Sequence, residues 1–141
     1  MPTKFFTEEI KFQLKERIRI KNWINESITA EKSELGIINF IFTSDNYLLE
    51  INKQYLSHNY FTDIITFNYC EENTINGDIY ISITTVKNNS RHFNVTFIEE
   101  LHRVMIHGIL HLIGYEDKTD EEKVKMREKE NLYLERFKKL S

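Results

Sequence analysis

One α+β domain over residues 1–141 is the fold this sequence predicts. Runs rich in β-branched residues end by residue 83, and the rest of the chain carries a helical period of apolar positions. No repeat, low-complexity tract or long linker divides it. At 141 residues the chain is long enough to bury a core of its own.

Residues 9–14, EIKFQL, alternate with Ile10, Phe12 and Leu14 on one side and predict a strand. From Glu16 the period lengthens, and Ile20, Trp23, Ile24 and Ile28 fall on one face of an amphipathic helix. Residues 36–42, GIINFIF, form the continuous apolar run of a buried strand. Ser44 then caps a helix reaching about Tyr55, with Leu48, Ile51 and Tyr55 on one face. DIITFNY and GDIYISI read as two strands joined by the polar CEENTIN, a hairpin. A short helix after Thr84 is expected to fade into a polar loop, NNSRHFN. Thr96 with Glu99 has the capping-box pattern and opens a long apolar helix carrying His107 and His111. Gly114 supplies its stop. Thr119 with Glu122 repeats the box ahead of a charged helix whose inner face is Met126, Tyr133, Phe137 and Leu140.

Composition narrows the function classes. Hydrophobic residues make up 40% and charged ones 29%, an ordinary balance for a globular protein. No apolar run approaches the ~18 residues that a membrane span needs. The opening MPTKFFTEEI lacks the basic-then-apolar layout of a secretory signal. Cys70 is the lone cysteine, so no internal disulfide forms, and a reducing cytoplasm is the expected setting. The net charge of −3 advertises no basic surface, so RNA binding would have to rest on a local patch.

The chemistry concentrates in HGILHLIGYED, residues 107–117. Residues four apart on a helix are about one turn, ~6 Å, apart on one face. His107 and His111 could so hold one metal ion, or could instead be hydrogen-bonded core groups. Gly114 allows the following YED to swing a carboxylate back toward them, and Asp117 completes a His, His, carboxylate set with an open position. Glu116 competes for that place. A glutamate beside the first histidine, as in many zinc peptidases, is missing, because that position is Gly108.

These residues resemble the signature of the YbeY family of ribosomal-RNA-processing metalloproteins, H-G-x-L-H-L-x-G-Y-D-H, at His107, Gly108, Leu110, His111, Leu112, Gly114 and Tyr115. INKQYLSHNYFTDIITF is similar to a second family block at Asn52, Tyr55, Thr62, Asp63 and Phe67, and GDIYIS to a third at Gly77, Asp78, Ile79, Ile81 and Ser82. The blocks keep the family's order and spacing. The chain departs from the pattern where the closing histidine falls on Asp117, the aspartate on Glu116, the arginine on Leu56, the lysine on His58 and the proline on Phe61.

The resemblance implies a zincin-like fold with a small mixed sheet and the metal-binding helix in the C-terminal half. It also implies one divalent ion, zinc, with metal-bound water as nucleophile, and Gly108 letting the neighbouring backbone pack closely and leaving room over the metal. The substrate implied is single-stranded RNA, cut in ribosomal-RNA maturation (the small-subunit 3′ end) and ribosome quality control, with the small ribosomal subunit and assembly proteins as partners and neither DNA nor membrane involved. Arg103, His58 and Arg91 are the candidates to replace the missing cation near phosphate, Arg103 having an i,i+3 ion pair with Glu100 as its plain alternative. His102 reads as a surface or capping residue, and His92 as solvated. Asp63 and Asp78 read as turn groups as readily as catalytic ones, and Cys70 as a small apolar residue. Two rivals stand beside the nuclease: a metallopeptidase or small-substrate hydrolase, and a non-catalytic assembly factor with a structural metal.

Overall fold

The computed structural model describes residues 2–140. Four strands and five helices follow in the order β1 (Thr3–Thr7), α1 (Arg17–Ala30), β2 (Glu34–Thr43), α2 (Asp45–Leu56), β3 (Ile64–Asn68), β4 (Thr74–Ser82), α3 (Ile83–His92), α4 (Phe97–Ile113) and α5 (Asp120–Lys139). The sheet order is β1-β2-β4-β3, with β1 and β4 parallel to β2 and β3 antiparallel to β4. This is the small mixed sheet expected.

Strand β4 sits inside the sheet and alternates, burying Ile75, Ile79 and Ile81 on one face. Ile38, Phe40 and Phe42 of β2 share that face, α1, α3 and α4 pack on it, and α5 closes over α1 and α4 in one continuous core. The other face, at Ile65 and Tyr80, carries α2 through Leu48 and Ile51. Indole Nε1 of Trp23 donates to the Tyr133 carbonyl at 2.7 Å, which ties α1 to α5. No described helix is long and apolar enough to cross a membrane.

Two expectations need correcting. The first strand is Thr3–Thr7, not residues 9–14. Ile10, Phe12 and Leu14 do face the core, and Phe12 meets Phe42 and Phe97 edge-on. Their alternation reflects side-chain packing, because left-handed Glu9 (φ 55°) and Glu16 (φ 59°) stop the segment from pairing as a strand. Helix α3 begins at Ile83 and runs through NNSRH to His92. Val86 and Ser90 are buried against the core, so tertiary packing overrides the weak helix preference of that polar stretch.

Both C-terminal helices start where their threonines place them. Thr119 and Glu122 exchange both bonds of the capping box. At Thr96 only half of it forms: the hydroxyl accepts from the Glu99 amide, with no return from the Glu99 side chain. Met126, Tyr133 and Phe137 line the buried face of α5 and Leu140 packs on its edge, as expected, with Glu130 among them.

Candidate metal centre

Helix α4 lies against the sheet along its apolar face, and Gly108 marks the close approach. A Cβ there would come within 2.9 Å of the Ile64 and Ile79 side chains. The missing side chain therefore faces the sheet, and the expectation that Gly108 opens room over a metal is corrected. A glutamate at this position would be driven into β3 and β4.

The adjacent, half-buried side of α4 presents His107 and His111, whose ring centroids are 4.5 Å apart. The helix stops at Gly114, in the positive-φ region at 125°, where the amides of Gly114 and Tyr115 both return to the Leu110 carbonyl. The chain then doubles back, and Asp117 Oδ2 reaches 3.2 Å from His107 Nε2 and 3.3 Å from His111 Nε2. Ligand-capable atoms of these three residues all lie within 4.8 Å of one another. Glu116 is exposed and outside this group.

The outward ring nitrogens decide what the inward ones can do. His111 Nδ1 lies 2.9 Å from the Tyr115 carbonyl, which can only accept, so Nδ1 carries the proton. His107 Nδ1 lies 2.6 Å from Glu130 Oε2 and donates likewise. On the neutral rings both Nε2 lone pairs then face a carboxylate oxygen, an arrangement of three electron-rich atoms that calls for a cation, a proton or a metal ion, among them. Burial pulls the His107 pKa down, but the Glu130 hydrogen bond and the charges of Glu130, Asp117 and Asp63 outweigh it, and the value stands above the ordinary histidine one.

Glu130 is the residue that sequence reasoning missed. Its Oε1 accepts from Arg103 Nη1 at 2.8 Å, while Arg103 Nη2 donates to Asn131 at 2.9 Å. Burial raises its pKa, and the bonds from His107 and Arg103 more than reverse that. A signal was present: Glu130 interrupts the apolar stripe Met126, Tyr133, Phe137 at i+4 of Met126, where a charge needs a partner. The expected ion pair of Arg103 with Glu100 does not form, since the guanidinium is turned to α5. On the other side Glu31 accepts from Tyr115 Oη at 2.5 Å, from Lys129 at 3.0 Å and from the Tyr133 hydroxyl. That anchors the turn whose carbonyl holds His111.

The donors open into a cavity of about 410 Å³ whose far wall includes Asn52, Leu56, His58, Tyr60 and Asp63. Burial raises the Asp63 pKa against the lowering effect of His107, and its carboxyl and that of Asp117 are the two that line the cavity. Asp78 accepts from Asn39 within the sheet, and the Cys70 thiol lies 3.5 Å from the Leu112 carbonyl, so neither joins the site. Arg91 lines a separate cleft with Lys87 and Ile10. His92 is exposed at the end of α3. His102 is not a surface residue: it is buried between Trp23 and Phe137, with burial pushing its pKa down to about 4.

Fold and donor group together define a class, a zincin-like α+β domain with a His, His, Asp group able to hold a metal ion. The model of the family described as endoribonuclease YbeY matches residues 4–138. The chain belongs to this family. It is 50% identical over 132 residues to the endoribonuclease YbeY of Flavobacterium psychrophilum, covering 94% of each chain. To that of Bacteroides fragilis it is 46% identical over 134 residues, covering 95% of this chain and 96% of the other. The solution structure of a Thermotoga maritima protein superposes with a TM-score of 0.67 at 32% identity, covering 96% of this chain and 88% of that one.

Proposed function

We propose that this chain is a metal-dependent endoribonuclease that cuts single-stranded RNA, acting in the cytoplasm on ribosomal RNA at the small-subunit 3′ end and in ribosome quality control. The observation that carries the reading is the convergence of His107 Nε2, His111 Nε2 and Asp117 Oδ2 while both Nδ1 atoms donate outward. The family, whose named relatives are endoribonucleases, supplies the reaction class.

His107, His111 and Asp117 would hold one divalent ion, and two imidazoles with a carboxylate suit zinc. When bound, such an ion supplies Lewis acidity toward water and the phosphate oxygens. The chain's own residues do the rest. Glu130 and the Tyr115 carbonyl orient the two rings. Asp63 faces the same cavity with a raised pKa, and in its ionised form would take a proton from the attacking water, the task that Gly108 leaves undone. Leu56 and Ile64 give the cavity an apolar wall. His58 stands on that wall and could donate to phosphate, whereas Arg103 acts through Glu130.

The test presents purified, metal-loaded protein with single-stranded RNA, an RNA duplex, casein and small ribosomal subunits. Single-stranded RNA should be cut and the duplex left largely intact, with activity lost on chelation and in His111→Ala. Casein cleavage without RNA cleavage would establish the peptidase. Tight subunit binding that survives His111→Ala, with neither substrate cut, would establish the assembly factor.

A further inference from the structure

The cavity has a second wall beyond the donor group, where His58 stands beside Leu56 and Tyr60. Helix α2 ends at Leu56, left-handed Ser57 (φ 58°) turns the chain, and Leu56, His58 and Tyr60 form a rim of the cavity. That rim is largely apolar and aromatic, with Leu56 40% and Tyr60 56% exposed. Among the described residues, no lysine or arginine lines the cavity, and its charged groups, apart from histidines, are the carboxyls of Asp63 and Asp117. A phosphate backbone thus finds little positive charge here. What the rim offers instead is flat ring surface.

The rim is also held in place before anything binds. Buried Asn52 donates its side-chain amide to the Tyr60 carbonyl at 2.9 Å and accepts the His58 amide on its own carbonyl at 3.0 Å. The His58 and Tyr60 rings stack at 5.1 Å and 21°, and the Tyr60 hydroxyl meets His58 Nδ1 at 3.0 Å, so their polar atoms satisfy each other. Exposed apolar groups clustered at the mouth of a site mark a binding surface rather than scattered surface residues. A fixed backbone lowers the entropy that binding would otherwise cost.

We propose that Leu56, His58 and Tyr60 form a stacking platform for the nucleobases flanking the cut, so that this chain grips unpaired RNA by base faces more than by phosphate charge. The inference rests on the nuclease reading for its ligand, and the continuity of rim and donor group in one cavity places the bases next to the reacting phosphodiester. Every base has a π face, so the platform tolerates sequence but requires bases that are not stacked in a duplex.

Binding is measured by fluorescence anisotropy with chelated protein, so that cleavage does not intrude. The probes are a labelled single-stranded RNA and an abasic ribose-phosphate oligomer of equal length. Tyr60→Ala should weaken RNA binding at least about fivefold, and Tyr60→Phe should retain most of it. The wild type should bind the abasic oligomer as weakly as Tyr60→Ala binds RNA. Tyr60 is exposed, and circular dichroism checks that both variants stay folded. Equal affinity of wild type and Tyr60→Ala, or of the two probes for the wild type, would overturn the platform even if the protein cuts RNA. Base-dependent, Tyr60-dependent binding, with no cleavage of the same RNA by metal-loaded protein, would uphold the platform and remove the nuclease reading. A change from dimer to monomer in Tyr60→Ala, with RNA affinity unmoved, would make the rim an interface between copies and overturn the proposal.

Discussion

Glu130 joins two halves of the chain at one imidazole. Its carboxylate accepts the hydrogen bond from His107 Nδ1 while Arg103 and Asn131 hold the far side of the clamp. Loss of such an orienting partner typically costs ~10–100-fold in metal affinity. Glu130→Ala should therefore weaken zinc binding within that range, and Glu130→Gln, which can still accept from Nδ1, should lose less, as read by competition with a chromophoric chelator. Equal affinity in wild type and Glu130→Ala would show that the clamp is only structural. The third donor is tested the same way: Asp117→Ala should lower affinity at least about tenfold and Glu116→Ala little, and the reverse ranking would move the ligand to Glu116. The histidine pair was legible in the sequence because four residues on one helix fix its spacing locally. Glu130 was not, because its partner lies 23 positions away and only packing of α5 on α4 brings them together.

At the scale of elements, α4 depends on lying close to the sheet. A methyl group at Gly108 would meet Ile64 Cδ1 and Ile79 Cγ2 at 2.9 Å, and the Ile79 contact lies on the branch that χ1 holds stiffly. Gly108→Ala should cost ~1–3 kcal/mol of stability in denaturant unfolding, and an unchanged midpoint would mean that α4 sits further from β4 than described. Helices with strong apolar periods, α1 and α4, were legible from end to end, since burial of one face dictates both their existence and their register. The N-terminal strand was not. The Ile10, Phe12, Leu14 alternation is real and core-facing, yet strand pairing is a property of the backbone, and β1 earns its place by its register with Ile38–Phe42.

The whole molecule carries a pH dependence that starts in its core. His102 is buried between Trp23 and Phe137 and titrates at about 4 when folded against 6.5 as its ordinary value. Between those values the unfolded chain binds the extra proton, so the stability owed to neutral His102 is complete above pH 6.5 and is lost as pH falls toward 4. From pH 7.5 to pH 5 the wild type should lose about 2 kcal/mol relative to His102→Phe, whatever the offset between them at neutral pH. Parallel stability curves for the two proteins would contradict the buried, neutral histidine. One-dimensional spacing put His102 off the metal face of α4, but which neighbour covers that face is set by the fold, and so its burial was illegible. The likeness to the YbeY motifs conveyed the class of the site, whereas its apolar rim shows only where the fold brings the end of α2 and the histidines of α4 to one cavity.

The most direct measurement follows cleavage of a fluorescent single-stranded RNA while zinc is titrated into metal-free protein, in the wild type and in Asp117→Ala. Wild-type cleavage should rise from near zero and saturate at about one equivalent per chain, with Asp117→Ala needing at least about tenfold more free zinc to reach half its plateau. Cleavage that is indifferent to zinc, or that saturates identically in both proteins, would contradict a metal centre built from His107, His111 and Asp117.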